Sequence, residues 1–222
     1  MKRGRTLRLA HRGDWRVAPE NTLAAFRAAL GRPACDGLEF DVRISADGVP
    51  VVCHDDTLAR VQGRPDRVES LTAEALSRLG VPSLAEALEL AGRRPFLDVE
   101  LKVEIGHVLI EALAAGRGPD LHNAVVSSFD RAALDGVARR VPGWPRWLNV
   151  VVLDRAAVEE AAGLGCRGVS AEWHSVDADS VALATEAGLQ VAAWTVRRRS
   201  TFGRLADLGV QAVCVEAAAL DG

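Results

Sequence analysis

Polar residues interrupt the apolar runs of this chain at four places in its N-terminal half. The run Leu7–Ala10 leads into His11-Arg12-Gly13-Asp14, and Leu38-Glu39-Phe40-Asp41-Val42 carries two carboxylates two residues apart. The run Pro50–Cys53 leads into His54-Asp55-Asp56, and Leu97-Asp98-Val99-Glu100-Leu101-Lys102 carries two more carboxylates and a lysine. Side chains two apart on a strand share a face, so Glu39 points with Asp41 and Glu100 with Lys102. Buried carboxylates are costly unless a cation neutralises them. Glu39, Asp41 and Glu100, with Lys102 beside them, therefore suit a hard divalent ion held by oxygen alone: Mg²⁺, Mn²⁺ or Ca²⁺. His11 and His54 add groups that titrate near neutrality and can give and take a proton. Arg12 adds a planar fork that fits phosphate oxygens. This set describes phosphoryl transfer better than acyl transfer. The absence of a GxSxG nucleophile elbow points the same way.

The elements that must position these residues alternate in type. Nine β-like runs are Leu7–Ala10, Gly37–Val42, Pro50–Cys53, Phe96–Leu101, Ala124–Ser127, Leu148–Leu153, Gly168–Ala171, Gln190–Trp194 and Ala212–Val215. Helical patterns fall between most of them, over Thr22–Leu30, Leu84–Ala91, Ile105–Ala115, Arg131–Arg140, Ala156–Gly163, Ser180–Ala187 and Thr201–Leu208. Glycines at Gly31, Gly92, Gly116 and Gly188 are expected to close helices with positive φ. Such alternation predicts parallel strands joined by crossover helices. With Pro50–Cys53 set aside as an extra strand after the Asp47-Gly48 turn, eight βα units remain, the number a (β/α)8 barrel needs. The polar residues then sit at the C-terminal ends of strands, where barrels build active sites. A doubly wound open sheet is the alternative, but no glycine-rich nucleotide loop follows the first run.

Composition bounds the rest. A chain of 222 residues is expected to form one domain, 1–222. The net charge of -3, with signs mixed throughout, argues against nucleic-acid binding. Apolar runs are too short for membrane insertion, and the basic start lacks the apolar core of a secretory signal, so a cytoplasmic location is expected. Cys35, Cys53, Cys166 and Cys214 show no metal-site spacing and read as reduced, buried thiols. The triplet Arg197-Arg198-Arg199 reads as a solvated helix start, His107 and His122 as structural, and His174 as a surface residue.

At these residues a resemblance appears. His11-Arg12-Gly13, Pro19-Glu20-Asn21-Thr22, Glu39-Phe40-Asp41-Val42 and Val51–Thr57 together resemble the signature of the glycerophosphodiester phosphodiesterases. Pro82–Leu88, Leu97–Lys102, Ser127-Ser128-Phe129 and Ala193-Trp194-Thr195-Val196 resemble its later landmarks, so the likeness runs through nearly the whole chain. It implies a TIM barrel with an insertion after the second strand, here a short one over 57–81. It implies metal binding by Glu39, Asp41 and Glu100, and general acid–base roles for His11 and His54. Arg12 and Lys102 would hold phosphate oxygens, Asn21 would stand at or just behind the site, and Trp194 would wall the pocket. The implied reaction is metal-dependent hydrolysis of small glycerophosphodiesters to glycerol 3-phosphate and an alcohol.

Three departures bear on substrate choice. Arg197 stands where the family often has Asn, Val215-Glu216 replaces an Asp-containing turn, and the insertion is abbreviated. A lysophospholipase D-like activity is one alternative, with Trp15, Trp144, Trp147, Trp173 and Trp194 available for an apolar entrance. A non-catalytic phosphodiester-binding barrel is a second, though it has no need of two histidines. An aldolase or isomerase is a third and would need an imine-forming lysine, for which Lys102 is the candidate.

Overall fold

The computed structural model describes residues 5–104 and 106–222. The strands are β1 Leu7–His11, β2 Gly37–Ile44, β3 Pro50–Val52, β4 Phe96–Leu101, β5 Ala124–Ser128, β6 Arg146–Val150, β7 Gly168–Glu172, β8 Gln190–Val196 and β9 Ala212–Val215. The α-helices are α1 Leu23–Leu30, α2 Ala59–Gln62, α3 Ala73–Arg78, α4 Leu84–Ala91, α5 His107–Arg117, α6 Arg131–Arg140, α7 Arg155–Gly163, α8 Ala178–Glu186 and α9 Arg199–Leu208. The sheet runs β1-β9-β8-β7-β6-β5-β4-β2, and a β1–β2 pairing closes it into a ring of parallel strands. This is the (β/α)8 barrel, and the open-sheet alternative falls. β3 lies outside the ring, antiparallel to β2 through Val42↔Val52.

Each strand alternates between two environments. Leu38, Phe40, Val42, Leu97, Val99 and Leu101 face outward into the main core under the helices. Leu9, Val125, Trp147, Ala192, Ala212 and Cys214 face inward and fill the lower barrel, with Phe96 stacked on Trp147 at 5.8 Å between ring centres. Strands approach closely there: a Cβ on Gly37 would lie 1.9 Å from the Phe96 carbonyl oxygen. Short polar caps turn several strand ends into helices. Thr22, Ser83, Asp130, Asp154 and Asp177 each accept a backbone N–H from the first turn that follows. The segment after the last strand meets the first βα unit through a clasp of charges. Arg16 and Arg32 both bind the buried Asp14 and also reach Asp221.

Several boundaries differ from the sequence reading. The sixth run was expected at Leu148–Leu153, whereas β6 is Arg146–Val150. Val151 and Val152 are apolar but exposed beyond the end of the ladder. Gly31 closes α1 with an ordinary negative φ, and Gly116 lies inside α5, which Gly118 ends instead. The expected start of that helix at Ile105 lies outside the described residues. Trp147, offered above for an apolar entrance, instead fills the lower barrel interior. The last barrel strand, β9, is followed only by a 3-10 turn, Ala217–Ala219. The 57–81 insertion folds into α2, a 3-10 turn and α3 over its own small core of Val51, Cys53, Leu58, Val68, Leu76 and Val81. All four cysteines are free, with Cys35 only half-buried.

Candidate active site

The inward-facing columns change character from bottom to top. β1 reads Leu7, Leu9, His11. β2 reads Gly37, Glu39, Asp41. β4 reads Phe96, Asp98, Glu100, followed by Lys102. In the registers His11↔Glu39, Glu39↔Asp98 and Asp41↔Glu100, these polar residues become lateral neighbours at the C-terminal ends of three adjacent strands. A cavity of about 220 Å³ opens above them. Of the residues anticipated from sequence, His11, Arg12, Glu39, His54, Glu100, Lys102 and Trp194 line it. Asp41 lies beneath with no exposed surface, and Asn21 stands behind, donating Nδ2 to Asp41 Oδ2 at 2.9 Å.

The carboxylates carry a large electrostatic burden. Glu39, Asp41 and Glu100 bring ligand oxygens within 4.8 Å of one another. Burial, with Asp41 close by, pushes Glu39 well above the usual carboxylate range, and Glu100 is raised for the same reasons. Asp41 is held low despite its burial because Arg12 and Lys102 flank it, with Arg12 Nε 3.1 Å and Lys102 Nζ 3.2 Å away. Lys102 is paired with Glu100 as well. Burial lowers its pKa, but the two carboxylates outweigh that and raise it above its ordinary value. Glu39 Oε2 is buried without a hydrogen-bond donor, and Asp41 Oδ1 has only the Lys102 ammonium beside it. Three crowded carboxylates with an unsatisfied oxygen among them fit a hard divalent cation.

Each histidine is braced from behind. His11 Nδ1 lies 2.6 Å from Glu216 Oε1, and His11 Nε2 faces the triad, 3.8 Å from Glu39 Oε2. His54 Nδ1 lies 2.6 Å from Asp55 Oδ1. Glu216 in turn accepts from Arg197 Nε at 2.7 Å, and Asp55 from Arg60 Nε at 2.7 Å. Such carboxylates fix the ring orientation and tautomer. Burial lowers the His54 pKa below its ordinary value.

The bracing residues were not singled out in the sequence. Asp55 adjoins His54 and was visible only as part of a motif. Glu216 follows Ala212 and Cys214 with the two-residue period of the inward face, a signal that could have found it. Asp98, Ser127, Asn149 and Ser170 also line the cavity floor. Burial pushes Asp98 up to about 7. Trp194 donates Nε1 to the Ser170 carbonyl at 3.1 Å and meets Phe129 edge-on at 5.5 Å. His174 is exposed and pairs with Glu172, His107 pairs with Glu111 on α5, and Arg198 and Arg199 start α9.

Glu216 gives a pH prediction. Burial pushes its pKa up, but the His11 and Arg197 contacts outweigh it and hold it at about 2, against an ordinary 4.5. A carboxylate depressed on folding stabilises the protein above its unfolded pKa, and that contribution is lost as pH falls through the folded value. Wild type should therefore be more stable than Glu216→Gln above pH 4.5, with the gap closing towards pH 2. Urea titrations across that range check this, and a gap independent of pH would contradict it.

Comparisons with known proteins agree with the geometry. The family model described as "Glycerophosphoryl diester phosphodiesterase family" matches residues 11–220. A glycerophosphodiester phosphodiesterase of Caldanaerobacter subterraneus subsp. tengcongensis is 28% identical, the match covering 96% of this chain and 94% of its own. An Oleispira antarctica phosphodiesterase, solved with the product sn-glycerol-3-phosphate, superposes with a TM-score of 0.82 at 28% identity, over 95% of this chain and 93% of its own. A Thermotoga maritima glycerophosphodiester phosphodiesterase shares the fold, with a TM-score of 0.80 at 22% identity, over 98% of this chain and 96% of its own.

Proposed function

The chain belongs to the glycerophosphoryl diester phosphodiesterase family and is a phosphoric diester hydrolase, and we propose that it cleaves small glycerophosphodiesters to glycerol 3-phosphate and an alcohol. We propose further that it does so as a single domain, in the cytoplasm, with one divalent metal ion, Mg²⁺ or Ca²⁺, and with Mn²⁺ as a substitute. Among the described residues no helix is long and apolar enough to cross a membrane. The observation that carries the reading is the juxtaposition of a three-carboxylate cluster with two braced histidines around one cavity.

Glu39, Asp41 and Glu100 would hold the ion, which supplies charge neutralisation at the phosphoryl oxygens and acidifies a neighbouring hydroxyl. Arg12 and Lys102 stand beside the triad and would orient the phosphate. One histidine takes the proton from the glycerol hydroxyl adjacent to the ester, and that oxygen attacks phosphorus. The other protonates the departing alcohol oxygen, leaving a cyclic phosphate. The two exchange roles when water opens the ring. Glu216 and Asp55 keep each Nδ1 engaged, so Nε2 does the proton transfer. Asn21 acts through Asp41, and Trp194 with Phe129 forms the apolar wall.

Metal-stripped protein should be inactive on glycerophosphocholine and glycerophosphoethanolamine and regain release of glycerol 3-phosphate when Mg²⁺, Mn²⁺ or Ca²⁺ is added back. Full activity after stripping would sink the metal assignment. A second reading has its own support. The exposed Trp15, Val17, Phe129, Val151 and Val152 all follow the C-terminal ends of strands, on the face where the cavity opens. This apolar rim suits an acyl chain, and preference for a detergent-solubilised lysophospholipid in the same assay would favour it.

A further inference from the structure

The 57–81 insertion reaches towards the cavity residues through one side chain. Arg60 lies on α2, two residues after Leu58, which is fully buried in the insertion's own core. From that anchor its guanidinium makes three bonds to two carboxylates. Nε donates to Asp55 Oδ2 at 2.7 Å, while the terminal nitrogens donate to Glu20 at 2.7 and 2.8 Å. Each carboxylate also meets a cavity residue. Asp55 Oδ1 meets His54 Nδ1 at 2.6 Å, and Glu20 Oε1 also accepts from Arg12 at 2.9 Å. His54 follows β3 and Arg12 follows β1, so one guanidinium ties together two separate strand ends. The space enclosed among these groups is only about 10 Å³, too small for a ligand and at the limit for one water.

Arg60 is half exposed, and ion pairs at that exposure contribute little to stability. Its planar fork, however, fixes direction in a way a point charge cannot. We infer that Arg60 is a positioning residue for the hydrolysis, setting the His54 ring through Asp55 and the Arg12 fork through Glu20. This inference rests on the acid–base reading of His54.

The test compares Arg60→Met, Arg60→Lys and His54→Ala with wild type, using glycerophosphocholine and the metal-loaded enzyme. Arg60→Met should lower kcat about tenfold or more, because orientation is part of what an acid–base group contributes. KM should change much less, and the melting temperature should stay close to that of wild type. Arg60→Lys restores the charge without the fork and should recover only part of the loss. The ¹⁵N signals of His54 give a readout independent of turnover. Wild type should show Nδ1 protonated, and Arg60→Met should show a mixture of tautomers. Unimpaired kcat with unchanged nitrogen signals in Arg60→Met would overturn the inference, as would a rate loss that follows a large drop in melting temperature. If His54→Ala is inactive while Arg60→Met is normal, this inference alone falls. If His54→Ala turns over normally, the acid–base reading falls and takes this inference with it.

Discussion

Replacing His11 or His54 with alanine should lower kcat by about 10²- to 10⁴-fold, the range a positioned acid or base supplies. The fold should survive. Removing His11 leaves Glu216 bound to Arg197, and removing His54 leaves Asp55 bound to Arg60, so neither carboxylate loses all its partners. KM should change little, since neither ring is expected to grip the ground-state phosphate that Arg12 and Lys102 flank. The double variant should be scarcely slower than either single one, because both histidines serve the same two proton transfers. Steady-state kinetics with circular dichroism on the three variants decides the matter. Near-normal turnover in either single variant would remove that histidine from the mechanism.

Asp41→Asn should damage both binding and stability. Asp41 is fully buried and is the centre on which Arg12, Lys102 and Asn21 converge. Asparagine keeps the shape and removes the charge. The two cations are then left facing each other across a neutral amide, while the cluster of metal-binding oxygens loses one anionic member. Breaking a buried pair in this way costs about 3–5 kcal/mol. Affinity for Mn²⁺ should fall at least tenfold, and turnover should fall with it. Calorimetric titration with Mn²⁺ and urea denaturation read the two effects separately. Wild-type Mn²⁺ affinity in this variant would show that the carboxylate cluster is not the metal site. Asn21→Ala, which removes only one hydrogen bond to Asp41, should show the same trend at a smaller size.

The sequence was most informative where chemistry broke a local pattern. A glutamate or aspartate inside an apolar strand is expensive enough to be conspicuous, so Glu39, Asp41 and Glu100 stood out from spacing alone. The alternation of runs gave the barrel because strand and helix periods differ. Strand ends were harder. Val151 and Val152 continue the apolar composition of β6, but its ladders end at Leu148 on the β5 side and at Val150 on the β7 side, and composition carries no trace of the partners. The helix-closing glycines failed at Gly31 and Gly116 because a glycine's freedom to take positive φ does not oblige it to do so. Arg60 went unremarked, and Glu216 and Glu20 were named only within motifs with no role of their own, for another reason. Each acquires its role only through partners the chain folds back to meet; for Glu20 and Arg60 no local rule separates them from a solvated surface charge, whereas Glu216 at least keeps the inward period of β9.

Ring closure has a consequence for how the enzyme is made. A chain leaves the ribosome from its N-terminus, so the triad and both histidines emerge long before β9. The bond between His11 and Glu216 spans 205 residues, and Arg16 reaches Asp221 over the same separation. Until those last segments appear, β1 presents an open edge able to pair with other chains. Closing so long a loop is entropically slow. Translation arrest in the final βα unit should thus yield a product that is both inert and prone to aggregate.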